Sequence, residues 1–179
     1  MIKILIGAVV AAFIVIIGFL ILDPQTSYEE NNVVEISNDD QKSGKYSIEG
    51  EINKSGTYSF NETPTMADLI AAAGGTTSNC DERGYYTTYE LSSGSTYYIP
   101  SLFDETDLCN SSQIPKVNVN TDSAETLAQS SVITNAIATS IVSYREENGQ
   151  FNCLEDLLKV YGVGNATYRK IRNYVILHE

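Results

Sequence analysis

The chain has 179 residues, with 11 Lys+Arg against 23 Asp+Glu for a net charge of -12. That is room for about one or two domains, and the acid excess excludes a polybasic nucleic-acid binder, so any contact with nucleic acid has to be local. The single histidine, His178, and the cysteines Cys80, Cys109 and Cys153, none in a CxxC pair, exclude zinc sites and histidine-based triads.

No Walker loop, GxSxG, HExxH or GxGxxG occurs, so an enzyme is not expected and no cofactor or metal is called for. Residues 4–22 are nineteen consecutive apolar or glycine residues. As a helix they would reach about 28 Å, close to the hydrocarbon thickness of a bilayer, so 1–22 is expected to be a transmembrane anchor. A cleaved signal peptide would have a shorter apolar core and small residues at the cut, whereas Phe19 to Leu22 run straight into Asp23. Lys3 on one side and Asp23, Glu29 and Glu30 on the other predict a single-pass topology with the N-terminus in the cytoplasm and the rest outside. Residues 23–44, rich in Asn, Ser, Gln and acid without an apolar period, read as a solvated acidic tether.

Residues 45–103 read as a compact α+β unit. Tyr46, Ile48 and Gly50 begin an alternating strand, Lys54-Ser55-Gly56 makes a turn, and Tyr58 and Phe60 share a face of the next strand. Thr65 can cap a helix with Asp68 three residues on; Met66, Leu69, Ile70 and Ala73 form its apolar stripe, and Gly74-Gly75 ends it. Residues 85–91 and 96–99 are predicted as later strands. Tyr85, Tyr86, Tyr89, Tyr97 and Tyr98 either pack inward or form a stacking platform for sugars or bases. The strings IEGEINKSGTYSF, MADLIAAAGG and GSTYYIP resemble an SLBB domain, a β-grasp-like module. The resemblance implies an interaction role, by binding a soluble ligand or by self-association into a homo-oligomer. Cys80 and Cys109 bracket the later strands, and on an oxidising exterior they are the expected disulfide, the alternative being three buried thiols.

After a linker at 104–115, residues 116–179 contain an internal repeat at an offset of 30. Glu125, Leu127, Asn135, Ala136, Ile141 and Tyr144 recur as Glu155, Leu157, Asn165, Ala166, Ile171 and Tyr174. Each copy reads as a short helix, a turn and a second helix; Leu154, Leu157 and Leu158 form one apolar stripe and Ile133, Ile137, Ile141 and Tyr144 another. In the second copy, Gly162 and Gly164 permit a tight turn and close approach of a ligand to the backbone, and the next helix offers unpaired N–H groups, which makes a phosphate seat. Arg169, Arg172 and Asn173 are expected on one face of the last helix with Lys170 beside them.

LEDLLKVYGVGNATYRKIR resembles the helix-hairpin-helix motif, and VNVNTDSAETL, IVSYREENGQF and LEDLLKVYGVG resemble the tandem domain of the ComEA competence family. Anchor, SLBB-like module and all-α tandem hairpin domain, in that order, are similar to the Gram-positive form of that family. The resemblance implies a surface receptor that binds double-stranded DNA without sequence preference and passes it to a DNA-uptake channel protein during natural transformation. The family's DNA-binding residues carry over to Gly162, Val163, Gly164, Asn165, Thr167, Arg169 and Lys170. The first hairpin has Val132, Ile133 and Thr134 where the family has its glycine turn, and Thr139-Ser140 where the second copy has Arg169-Lys170. It is expected to pack without holding phosphate. The alternative is a surface scaffold that binds protein or glycan through the SLBB-like module, the hairpins being kept only as a fold.

Overall fold

In the computed structural model, which describes residues 43–104 and 113–179, the alternation of Tyr46 and Ile48 buries one face of strand β1 (Gly44–Gly50). The predicted membrane span, most of the tether and Cys109 lie outside the described residues; among those described, no helix is long and apolar enough to cross a membrane. β2 (Gly56–Phe60) pairs antiparallel with β1, Tyr46 opposite Tyr58, and its Tyr58 and Phe60 lie half-buried on one face as expected. β3 (Thr96–Ile99) pairs parallel with β1 on its other side, Ile48 opposite Tyr97. Gly50 has φ of +95°, and a Cβ there would stand 2.1 Å from the Ile99 carbonyl oxygen, so only glycine lets the strands meet.

Helix α1 (Met66–Ala72) crosses between β2 and β3 and buries Met66 and Leu69. Its predicted cap forms: Asp68 Oδ2 accepts from the Thr65 N–H at 2.8 Å and Thr65 Oγ1 accepts from the Asp68 N–H at 3.3 Å. Residues 85–91 are not the predicted strand. The Tyr89 and Thr87 carbonyls instead accept the first α1 N–H groups, from Met66 and Ala67, at 2.9 Å each. A chain spent on the orphan donors of a helix start cannot pair as a ladder. Tyr85, Tyr97 and Tyr98 are buried and Tyr86 packs against His178, ring centroids 4.8 Å apart and planes tilted by 31°, so the tyrosines build core and contacts, not an open platform.

The C-terminal module is not all-α as expected: it opens with β4 (Val117–Asn118) and closes with β5 (Val175–Ile176), which pair in parallel. Between them α2 (Ala124–Leu127) and α3 (Asn135–Asn148) make the first hairpin, and a 3₁₀ segment (Leu154–Lys159) and α4 (Asn165–Ile171) make the second. The second elements of the two copies begin 30 residues apart, at Asn135 and Asn165, the offset of the sequence repeat. Leu127, Ile133, Ala138 and Ile141 are buried, and so are their counterparts Leu157, Val163, Tyr168 and Ile171. Asn120 ties the copies together, donating to the Phe151 and Leu177 carbonyls at 3.0 Å each while its own side-chain oxygen accepts the Phe151 N–H. Leu158 departs from the expected stripe and is 40% exposed.

Both modules lie within one compact unit. The outer edge of β3 is covered by the hairpin module: Glu155 Oε1 accepts the Tyr98 N–H at 2.8 Å, and Asn173 Oδ1 accepts the Tyr98 hydroxyl at 2.9 Å and the Ser101 N–H at 3.2 Å. Burial pushes the Glu155 carboxyl above the ordinary glutamate value, against the pull of the Tyr168 hydroxyl, which also donates to it. Its repeat counterpart Glu125 is exposed, so one sequence position serves two environments. Lys116 and Asp81 form a further bridge between the modules. Cys80 carries a free thiol 3.6 Å from the Tyr85 hydroxyl; the bridge expected to Cys109 falls on a residue outside those described.

Candidate nucleic-acid interface

The predicted phosphate seat lies on the surface, in the turn between Leu154–Lys159 and α4. Val163 anchors that turn from within: its side chain is buried, and its N–H donates to the Val160 carbonyl at 3.0 Å. The first hairpin closes the same way, Ile133 N–H to Ser130 O at 3.2 Å. Gly162 has φ of +85°, a left-handed conformation that side chains disfavour. Gly164 is extended, φ -91° and ψ 176°, which any residue adopts. A Cβ at either position would meet no atom within 4 Å, so nothing inside the fold requires glycine at 164.

What the missing side chain leaves bare is the start of α4. The first rung of the helix is Tyr168 N–H to Gly164 O at 2.8 Å, so the N–H groups of Asn165, Ala166 and Thr167 have no acceptor within the helix, and Gly164 supplies no cap. Thr134 stands at the equivalent position of the first copy, and its Oγ1 accepts the Ile137 N–H at 3.4 Å. One copy caps itself and the other stays open.

The cations follow the same asymmetry. Arg169 and Lys170 are exposed and, among the described residues, have no ion-pair partner, whereas Lys159 is held by Asp156 at 2.6 Å. Their first-copy counterparts Thr139 and Ser140 turn their hydroxyls back onto the Asn135 and Ala136 carbonyls, at 3.0 Å each. Arg172 and Asn173 do not join them, contrary to the sequence expectation. α4 ends at Ile171, and Arg172 turns to Glu49 at 2.6 Å while Asn173 holds Tyr98 and Ser101. Gly162, Gly164, Asn165, Arg169 and Lys170 are therefore together on the surface, Thr167 is half-buried beside them, and Val163 faces the core. Ala166 was not expected at the site, because a residue that offers only a backbone N–H has no side-chain signature to read.

Residues 112–176 match the model of the helix-hairpin-helix motif. Over 158 residues the chain is 30% identical to ComE operon protein 1 of Bacillus subtilis, a match covering 82% of this chain and 77% of that protein. The chain belongs to the ComEA family. Shorter likenesses accompany this one. An uncharacterized protein of Haemophilus influenzae is 42% identical over 62 residues, 34% of this chain and 55% of that protein. A bovine endonuclease/exonuclease/phosphatase family domain-containing protein 1 is 39% identical over 61 residues, 11% of its length. A match confined to so small a share of that protein leaves most of it without a counterpart in this ComEA-family chain.

Proposed function

We propose that this chain is a competence-related DNA-binding protein: a single-pass membrane receptor whose exterior part binds double-stranded DNA without sequence preference and hands it to an uptake channel in natural transformation. Support comes chiefly from the difference between Thr134 and Gly164. The first copy covers the Ile137 N–H with the Thr134 hydroxyl, whereas the second, with Gly164 there, has no side-chain cap for the N–H groups of Asn165, Ala166 and Thr167 beside Arg169 and Lys170. Backbone donors and flexible cations engage phosphate and sugar, which fixes position on a duplex but reads no base edges. The membrane anchor at 1–22, the channel partner and self-association through residues 45–103 belong to the same proposal.

The net charge of -12 does not forbid this. Residues 116–179 hold six Lys+Arg and seven Asp+Glu, a net of -1, and exposed charges elsewhere are screened beyond about 8 Å at physiological salt. Affinity is accordingly modest.

The full chain titrated onto duplexes of unrelated sequence should bind each alike. With two to four phosphates neutralised, log K should fall against log salt with a slope of roughly -2 to -4. Gly164→Thr, which copies the self-capped first hairpin into the second, should weaken binding to all of them while thermal stability stays equal or rises by a few tenths of a kcal/mol. A folded chain that binds no long duplex at low salt would overturn the receptor reading in favour of a surface scaffold acting through residues 45–103.

A further inference from the structure

We propose that Tyr161 is an apolar DNA contact of the second hairpin, its ring packing against the sugars and base edges of the groove beside the phosphate seat. This rests on the receptor reading above and adds a residue that neither charge nor backbone donors would identify. Among the described residues the large hydrophobic side chains left exposed are Leu158, at 40%, and Tyr161, at 91%. Both lie within four residues of Gly162, so the exposed apolar surface gathers at the open hairpin instead of being scattered. Apolar exposure concentrated in one place marks a contact site.

The tyrosines around it are spent on the fold. Tyr85, Tyr97, Tyr98 and Tyr168 are buried. Among the described residues Tyr161 has no hydrogen-bond or ring partner. Its backbone is nonetheless fixed, because the flanking Val160 and Val163 are 3% and 4% exposed and the bond between them closes the turn. A tyrosine on a fixed turn offers a large, rigid, amphipathic contact at small entropic cost. The first copy, whose helix start is capped, has Ser131 at the equivalent position and Ala128 in place of Leu158. The ring is thus present only where the open helix start and the cations Arg169 and Lys170 are present, which favours DNA over a lipid surface as its partner.

The test uses the full chain and a fluorescent duplex closed at both ends by loops, so that stacking on a free end cannot contribute. Tyr161→Ala should weaken binding roughly tenfold, the effect of losing about half the burial of one large apolar side chain, and equally at every salt concentration, because an apolar contact releases no counterions. Tyr161→Phe should stay within about twofold of the native chain. The sequence has no tryptophan, so Tyr161→Trp gives a single indole whose emission should shift or quench on adding duplex. Native affinity in Tyr161→Ala, or indole emission unmoved by saturating duplex, would overturn the assignment. So would loss of binding to phosphatidylglycerol vesicles in Tyr161→Ala with DNA affinity intact, which would give the ring to the membrane. A failure of the receptor reading is separately visible, as a native chain that does not bind the duplex at all, and takes this contact with it.

Discussion

Lys116 Nζ lies 2.7 Å from Asp81 Oδ2, and the two side chains are 1% and 2% exposed. Asp81 also accepts from Arg83, Nε and Nη2 at 2.9 Å each. Burial pushes the Asp81 carboxyl up, but the hydrogen bonds from Arg83 and the ammonium of Lys116 beside it outweigh that and hold the group at about 2. Lys116 moves the other way from the usual gain of a partner: burial pulls its ammonium below the ordinary lysine value, and one carboxylate does not fully restore it. The carboxylate, with two cations on it, sets the sign for the trio. The bridge joins the start of the hairpin module to the sheet module, so its energetics are those of docking.

Asp81→Ala should therefore lower stability by about 3 to 5 kcal/mol, the cost of leaving a buried ammonium unpaired, and adding Lys116→Met should return much of it. The pH dependence follows from the depressed carboxyl. A folded-state value of about 2 against an ordinary 3.8 gives stability that is complete above about pH 4 and is lost as pH falls towards 2. The loss amounts to about 2 kcal/mol. Urea unfolding of the native, Asp81→Ala and double-substituted chains at pH 7, 4 and 2.5 tests both statements; the same pH dependence in the native and double-substituted chains would remove Asp81 as its source.

Arg172 makes the second prediction. Its guanidinium carbon lies 3.5 Å from the centre of the Tyr98 ring and its Nη1 is 2.6 Å from Glu49 Oε1. Since Arg172 is committed to the sheet module, Arg172→Ala should cost about 1 kcal/mol of stability and leave the salt slope of DNA binding where it was. A shallower slope would put Arg172 back among the phosphate contacts.

Arg172 and its neighbour Asn173 mark how far sequence reasoning reaches. The Thr65–Asp68 cap and the 30-residue repeat were readable because each depends on local spacing: a side chain three residues from its partner, or an apolar period carried intact from one copy to the next. Residues 85–91 were not, since a Tyr-rich alternating run has strand propensity and only the distant start of α1 explains why its carbonyls are used elsewhere. Arg172 and Asn173 look like one more turn of helix until docking against Tyr98 ends α4 at Ile171. At the candidate site the glycines and cations were visible, whereas the opposing roles of Thr134 and Gly164 needed the hydrogen bond that one makes and the other cannot.

Cysteine reactivity should follow burial. The Cys153 thiol is 4% exposed and pushed up to about 12, by burial first and then by Glu155 and Asp156. At pH 8 its thiolate fraction is on the order of 10⁻⁴. In the folded chain Cys153 should resist iodoacetamide for hours at pH 8, and Cys80, half-buried and also raised by burial, should react sooner. Denatured without reductant, the protein should label at both Cys80 and Cys153; Cys80 labelled only after reduction would mean that it is bridged after all.

The last prediction concerns the charge on the open hairpin. If Arg169 and Lys170 each neutralise about one phosphate, replacing both by Ala should make the salt slope shallower by roughly 2 and weaken binding to every duplex alike. The fold should not suffer, because both side chains are exposed and sit on the solvent face of α4. The first hairpin provides the converse. Thr134→Gly frees the α3 start, and Thr139→Arg with Ser140→Lys installs cations where hydroxyls now bond the Asn135 and Ala136 carbonyls. In the chain that lacks Arg169 and Lys170, this triple substitution should steepen the slope again by about 1 to 2. The stability cost should be only a few tenths of a kcal/mol for the lost cap. Val132 stays where the second copy has Gly162, so the graft tests whether an open helix start and nearby cations suffice without the left-handed glycine. A slope unchanged by the double alanine substitution would remove both cations from the interface. A folded graft with no steeper slope would show that the glycine turn itself is required.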